Sequence, residues 1–187
     1  MHHTGTKPLE TERLILRRFE LKDAEPMYRN WASDDEVTRF LMWKTHADAD
    51  ESARIVEQWV RNYSDEKYYQ WAIVPKELNE PIGSMAAVGM DESVDMVHIG
   101  YCIGRKWWHQ GYTSEALAAV IEFFFNEVGA NRIESRHDPR NPNSGKVMMK
   151  CGLIYEGTLR SSDHNNQGLC DACYYGLLKS EWENNLK

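Results

Sequence analysis

The segment Gly100-Tyr101-Cys102-Ile103-Gly104-Arg105-Lys106-Trp107-Trp108-His109-Gln110-Gly111-Tyr112-Thr113-Ser114-Glu115-Ala116 reads as a strand end, a glycine-containing turn and a helix start. Free amides in a first helical turn, backed by the positive end of the helix dipole, can surround an anion such as a diphosphate without requiring a basic side chain. Gly111 would let the backbone approach that anion, and Thr113 and Ser114 add hydroxyl donors. An ordinary helix start capped by Thr or Ser has the same spacing, so the segment alone leaves both readings open. Neither Gly-x-x-x-x-Gly-Lys-Ser/Thr nor Gly-x-Gly-x-x-Gly occurs. His98, on the preceding strand, carries an imidazole that titrates near neutrality and is a candidate base, although a lone strand His is more often structural. Cys102 has no partnered His that would mark it as a nucleophile. Cys170 and Cys173 fall in an extended run, where positions three apart point to opposite faces, and no second Cys/His pair has ligand spacing, so no metal is expected.

Several elements must position these groups. Leu14 and Leu16 alternate with charged neighbours through Glu12 to Phe19, the period of a half-buried strand. Asp23 offers a helix N-cap, with Met27, Tyr28 and Trp31 at helical spacing, and Asp48 with Glu51 forms a capping-box pattern. That second helix presents Ile55, Val56, Trp59, Val60 and Tyr63 as its apolar face. Strand runs at Tyr68 to Val74, Ile82 to Met90 and Met96 to Ile103 have short connectors and predict an antiparallel meander. A helix burying Leu117, Val120, Ile121, Phe124 and Val128 ends at Gly129 and crosses over to a parallel strand, Asn131 to Arg136. A short helix from about Pro142 to Gly152 and two strands, Leu153 to Arg160 and Leu169 to Leu178, complete the order. The pattern is α+β around one mixed sheet.

The 187 residues, 42% hydrophobic and 27% charged, suit one ordered domain that needs neither disulfides nor a structural metal. A net charge of -7 opposes general nucleic-acid binding and would favour a cationic partner such as an amine. No apolar run reaches the ~20 residues of a membrane helix. Residues 1–8 lack the apolar core of a secretory signal, and four cysteines expected to be reduced suggest the cytoplasm.

The chain resembles the GNAT family of acyl-CoA-dependent N-acetyltransferases, specifically its ribosomal-protein N-terminal acetyltransferase branch (RimJ/RimL-like), over nearly its whole length. The likeness starts at Leu9 to Arg17, continues through Ile99-Gly100-Tyr101 and peaks at Trp108 to Ala116. A second block comprises Asn141-Pro142-Asn143-Ser144, Lys150-Cys151-Gly152-Leu153 and Glu156-Gly157. The family's pyrophosphate motif maps to Trp108–Thr113, with Trp108 and Thr113 departing from the general pattern and His109 standing where the branch often has glycine. Leu153 replaces a commoner aromatic residue.

The resemblance implies a GNAT fold, a single mixed, mostly antiparallel sheet flanked by helices, spanning 9–182 between a flexible leader (1–8) and a tail (183–187). It implies acetyl-CoA as co-substrate, held by Cys102, Ile103, Arg105, His109, Gln110, Gly111, Tyr112, Thr113, Ser114, Asn141 and Ser144. In this family Asn141 would meet the pantetheine arm, a backbone N–H near Cys102 and Ile103 the thioester carbonyl, and Ser144 the departing thiolate as proton donor. Asp163 would be the base, at about the branch's spacing past Ser144, with His98 the other candidate. Trp31, Trp43, Tyr68 and Tyr69 are candidates for the acceptor pocket, though such residues are more often core. The implied acceptor is a protein N-terminus. A small amine (aminoglycoside or polyamine) and a non-catalytic acyl-CoA-binding module are the alternatives, and an edge strand of the C-terminal hairpin could support a homodimer.

Overall fold

In the computed structural model, which describes residues 1–185, one eight-stranded sheet carries the molecule in the order β1-β2-β3-β4-β5-β6-β8-β7. The strands are β1 (Leu9–Glu10), β2 (Leu14–Arg17), β3 (Gln70–Pro75), β4 (Gly83–Asp91), β5 (Met96–Ile103), β6 (Arg132–His137), β7 (Ile154–Asn165) and β8 (Gly168–Leu178). Every neighbouring pair is antiparallel except β5 and β6, as the crossover through a helix requires.

That helix, α4 (Tyr112–Phe123), continues as a π turn through Val128 and ends at Gly129 in the left-handed conformation. Its predicted face is buried: Leu117, Val120, Phe124 and Val128 are fully covered and pack with Leu14, Leu16, Trp71, Ile99 and Ile133 in the main core. Each such side chain contributes about 1.5–3 kcal/mol by leaving water. The helix α5 (Pro142–Lys150) lies on the same side of the sheet.

The opposite face carries α1 (Ala24–Met27), α2 (Asp35–Thr38) and α3 (Ala49–Asn62), with a second core around Phe19, Trp31 and Val56. A final helix, α6 (Lys179–Asn185), follows β8.

Several expectations change. Asp23 stands at the N-cap position of α1 but its side chain makes no capping bond there, because it serves the 3-10 turn at Leu21–Asp23 that precedes the helix. The buried Asp23 carboxylate instead accepts from the Glu20 N–H (2.8 Å) and from Arg17 (2.7 and 2.9 Å). Asp48 caps α3 as predicted, but Glu51 reaches the Ala47 N–H rather than that of Asp48. On α3 only Val56 of the expected apolar face is fully buried, because the helix lies at the margin of the smaller core. Trp31 and Tyr69 are core residues, 0% and 1% exposed, and not pocket walls.

Residues 1–8 pack on the domain rather than standing apart: the Met1 ammonium pairs with Asp95, the His2 N–H donates to Val128 and the Gly5 N–H to Glu66. Of the expected tail, 183–185 belong to α6 and 186–187 lie outside the described residues. The last hairpin is longer than expected, so Asp163 lies on β7, the edge strand, and not in a loop.

Candidate active site

The parallel pair β5/β6 keeps register for only three steps, Met96 with Arg132, Val97 with Ile133 and His98 with Glu134. A Ser135 hydroxyl donating to the Ile99 carbonyl (2.8 Å) is the last tie before the strands part. Beyond it β5 offers a free backbone edge. The Gly104 N–H donates to Ile82, and Cys102 is registered with Ser84 on β4. Alternation along the strand therefore turns the backbone groups of Tyr101 and Ile103, not those of Cys102, toward the opening. The Trp108 indole N–H donates to the Ile103 carbonyl (2.9 Å), which fixes the following turn against this edge. Burial pushes the Cys102 thiol up, which keeps it protonated and unsuited to nucleophilic attack.

The turn from Gly104 enters α4 through two left-handed residues, His109 (φ 60°) and Gly111 (φ 82°). The first helical bond runs from the Glu115 N–H to the Gly111 carbonyl, leaving the amides of Tyr112, Thr113 and Ser114 outside the helical ladder. These amides, rather than side chains, are what the turn offers an anion. The Ser114 hydroxyl donates to the Gly111 carbonyl (2.9 Å), Tyr112 is buried in the core, and the Gln110 amide donates to the Lys106 carbonyl. Arg105 is drawn away to Asp34 (3.0 Å).

Two cations that sequence reading gave no part in this site stand here. A Cβ on Gly111 would lie 3.4 Å from an Arg13 terminal nitrogen and 3.7 Å from Lys150 Nζ. Arg13 arrives from the turn before β2, stacks over Tyr112 (4.4 Å) and is tied to Glu115 (2.7 Å). The turn thus combines free amides with basic side chains, Arg13 and Lys150 standing beside Gly111 where Arg105 was expected. The parted strands and this turn fit an extended chain ending in a diphosphate.

At the start of α5, Asn141 holds the N-cap position without a side-chain capping bond; its amide donates instead to Ser144 Oγ (3.0 Å). That bond occupies a lone pair of Ser144 and leaves its O–H available to donate. The Tyr101 hydroxyl spans from β5 to the Ser144 carbonyl (2.9 Å) and so fixes Ser144 across the opening. His137, absent from the sequence reading, has Nδ1 on the Asp138 carbonyl (2.8 Å) and a buried, unpartnered Nε2 toward Gly145.

On the other face of the sheet, His98 Nδ1 lies 3.2 Å from Glu134 Oε1. Burial first, then the charge of Arg136, lower its pKa, while Glu134 and Asp163 pull it up. Asp163 has both oxygens on Arg136 (2.6 and 3.2 Å), so it is a paired carboxylate and not a free base. Among the described residues no cluster of three or more His, Cys, Asp or Glu is arranged to hold a metal, and all four cysteines are free. No helix among them is long and apolar enough to cross a membrane.

The chain is similar to known proteins. The acetyltransferase (GNAT) domain profile matches residues 13–154. An uncharacterized N-acetyltransferase of Bacillus licheniformis, p20, is 34% identical over 175 residues, 93% of this chain and 97% of the relative. The ribosomal-protein-serine acetyltransferase of Escherichia coli is 24% identical over 169 residues, 90% of this chain and 94% of its own. Among solved structures, a GNAT-family acetyltransferase of Bacillus anthracis superposes with a TM-score of 0.82 at 25% identity, covering 94% of this chain and 100% of that one. With the parted strands and the amide-lined turn in the same chain, this protein belongs to the GNAT family of acetyl-CoA-dependent N-acetyltransferases.

Proposed function

We propose that the acceptor is a protein N-terminal amine and that transfer is direct, in the cytoplasm, with no acyl-enzyme. The observation carrying the reading is the opening between β5 and β6, with Ser144 on one side and His98 on the other. The likeness to a ribosomal-protein-serine acetyltransferase supports the acceptor class, and the free cysteines fit a reducing compartment.

The thioester carbonyl is oriented by a backbone N–H of Tyr101 or Ile103, and the diphosphate rests on the amides of Tyr112 to Ser114 beside Lys150. The amine nitrogen attacks the thioester carbon, a C–N bond forms and the C–S bond breaks. His98, neutral because its pKa is lowered, takes the proton that the amine gives up. Ser144 passes its hydroxyl proton to the departing thiolate and is reprotonated from solvent. Asp163 acts through charge, by holding Arg136, rather than as the base.

Thiol release from acetyl-CoA is to be followed with N-terminal peptides, polyamines and aminoglycosides in parallel. The highest kcat/KM is expected for a peptide; a polyamine or aminoglycoside preferred tenfold would replace this acceptor class. Coenzyme A binding without turnover on any amine would mark a non-catalytic module. Ser144→Ala and His98→Gln should each lower kcat by about 10²-fold with the KM for acetyl-CoA little changed. Unchanged kcat in either variant removes that residue's role.

A further inference from the structure

A chain of charged side chains crosses four strands on the face of the sheet opposite α4 and ends at His98. From the edge inward, Glu156 on β7 meets the Arg132 guanidinium through both carboxylate oxygens (2.7 Å for the first). Arg132 on β6 also reaches Glu134 Oε2 (3.4 Å), and Glu134 Oε1 meets His98 Nδ1 on β5. The strand between β6 and β7 is β8, and at the crossing point it carries Gly176, registered with both Glu134 and Ile154. A Cβ there would fall 2.5 Å from both an Arg132 nitrogen and a Glu156 oxygen. The missing side chain is what allows the pair to lie flat across β8.

We infer that Glu134 is the positioning residue for His98 and that the Arg132–Glu156 pair, seated on Gly176, holds Glu134 in place. This rests on the reading of His98 as the base. A carboxylate only accepts, so Nδ1 carries the proton and Nε2 is left with the lone pair a base needs. Arg132 fixes the other oxygen of Glu134 and thereby restricts rotation of the carboxylate that aims the ring. The remaining charged groups facing His98 are Arg136 on β6 and Asp163 on β7, themselves paired. On the β4 side the neighbour is Gly89, which is uncharged.

The test compares wild type with Glu134→Gln, Glu134→Ala, Gly176→Ala and His98→Gln. It uses the imidazole titration of His98 by NMR and the pH dependence of kcat/KM on whichever acceptor turns over. Removing the Glu134 charge should move the His98 midpoint, and with it the acid limb of kcat/KM, down by about one pH unit. Glu134→Ala should also lower the plateau kcat by about tenfold or more, whereas Glu134→Gln, which can still accept from Nδ1, should largely keep it. Gly176→Ala displaces only side-chain ends and leaves both His98 and Glu134 present; it should lower kcat severalfold with the KM for acetyl-CoA unchanged.

A His98 midpoint unmoved in Glu134→Gln overturns the inference, as does wild-type kcat in both Glu134→Ala and Gly176→Ala. Full activity of His98→Gln overturns instead the assignment of the base. Because the NMR titration needs no acceptor, the Glu134 coupling can be refuted separately from the choice of amine.

Discussion

The Asp138 carboxylate lies at the end of β6 and is 2% exposed on its side chain. It accepts from the Arg140 guanidinium and backbone N–H (2.8 Å) and from the Asn165 amide (2.8 Å). These donors, the Arg140 side chain foremost, hold its carboxyl well below the usual carboxylate range. A carboxylate whose folded pKa is depressed contributes stability that is present above its unfolded value near 4 and is lost as pH falls toward the folded value. Thermal unfolding from pH 7 to pH 3 should therefore show a midpoint that declines below about pH 5. Asp138→Asn should lower the midpoint at pH 7 by about 3–6 °C and shallow that decline; an unaltered acid slope would exclude Asp138 as a source. Asp163 illustrates how far one residue's chemistry depends on its neighbours. Its type and distance from Ser144 were legible in the sequence, but its pairing with Arg136 was not, because β6 and β7 meet only through β8.

The turn and first helical residues of α4 form the element proposed to meet the diphosphate, and its backbone conformation is what would do so. Gly111→Ala has room, the nearest atom lying at 3.4 Å, but puts a side chain at φ 82°. It should cost about 1–2 kcal/mol of stability and raise the KM for acetyl-CoA about tenfold by disturbing the amides behind it. His109 already occupies the left-handed region, so His109→Gly relieves strain while adding freedom to the unfolded chain. Its midpoint should stay within about 3 °C of wild type. A Gly111→Ala variant with unaltered melting and KM would show that this geometry is dispensable. Strand, turn and helix start could be read here because they are local. Arg13 could not, because it arrives from a turn far away in sequence.

Across the whole molecule, the tip of the β7–β8 hairpin closes over the segment that follows α2. The Asn166 amide donates to the Thr38 carbonyl (2.8 Å) and to that of Trp43, and its N–H donates to Leu41 (3.0 Å). This clasp lies on an edge hairpin whose β7 residues are mostly exposed. Asn166→Ala should leave the main core intact and speed hydrogen exchange of amides around 39–43 and 165–168 by about tenfold or more. Equal protection in variant and wild type would mean that the contact does not restrain the tip.

The sequence by itself determined the α+β order, the buried face of α4, the parallel crossover and the turn that precedes it. Each follows from periodicity, glycine placement or connector length within one stretch of chain. Tertiary structure alone decided which backbone groups of β5 face the opening, that Arg13 and Lys150 flank Gly111, and that a charge chain lies across Gly176. Those facts depend on strand register and on the parting of β5 from β6, which bring together residues that no local pattern links.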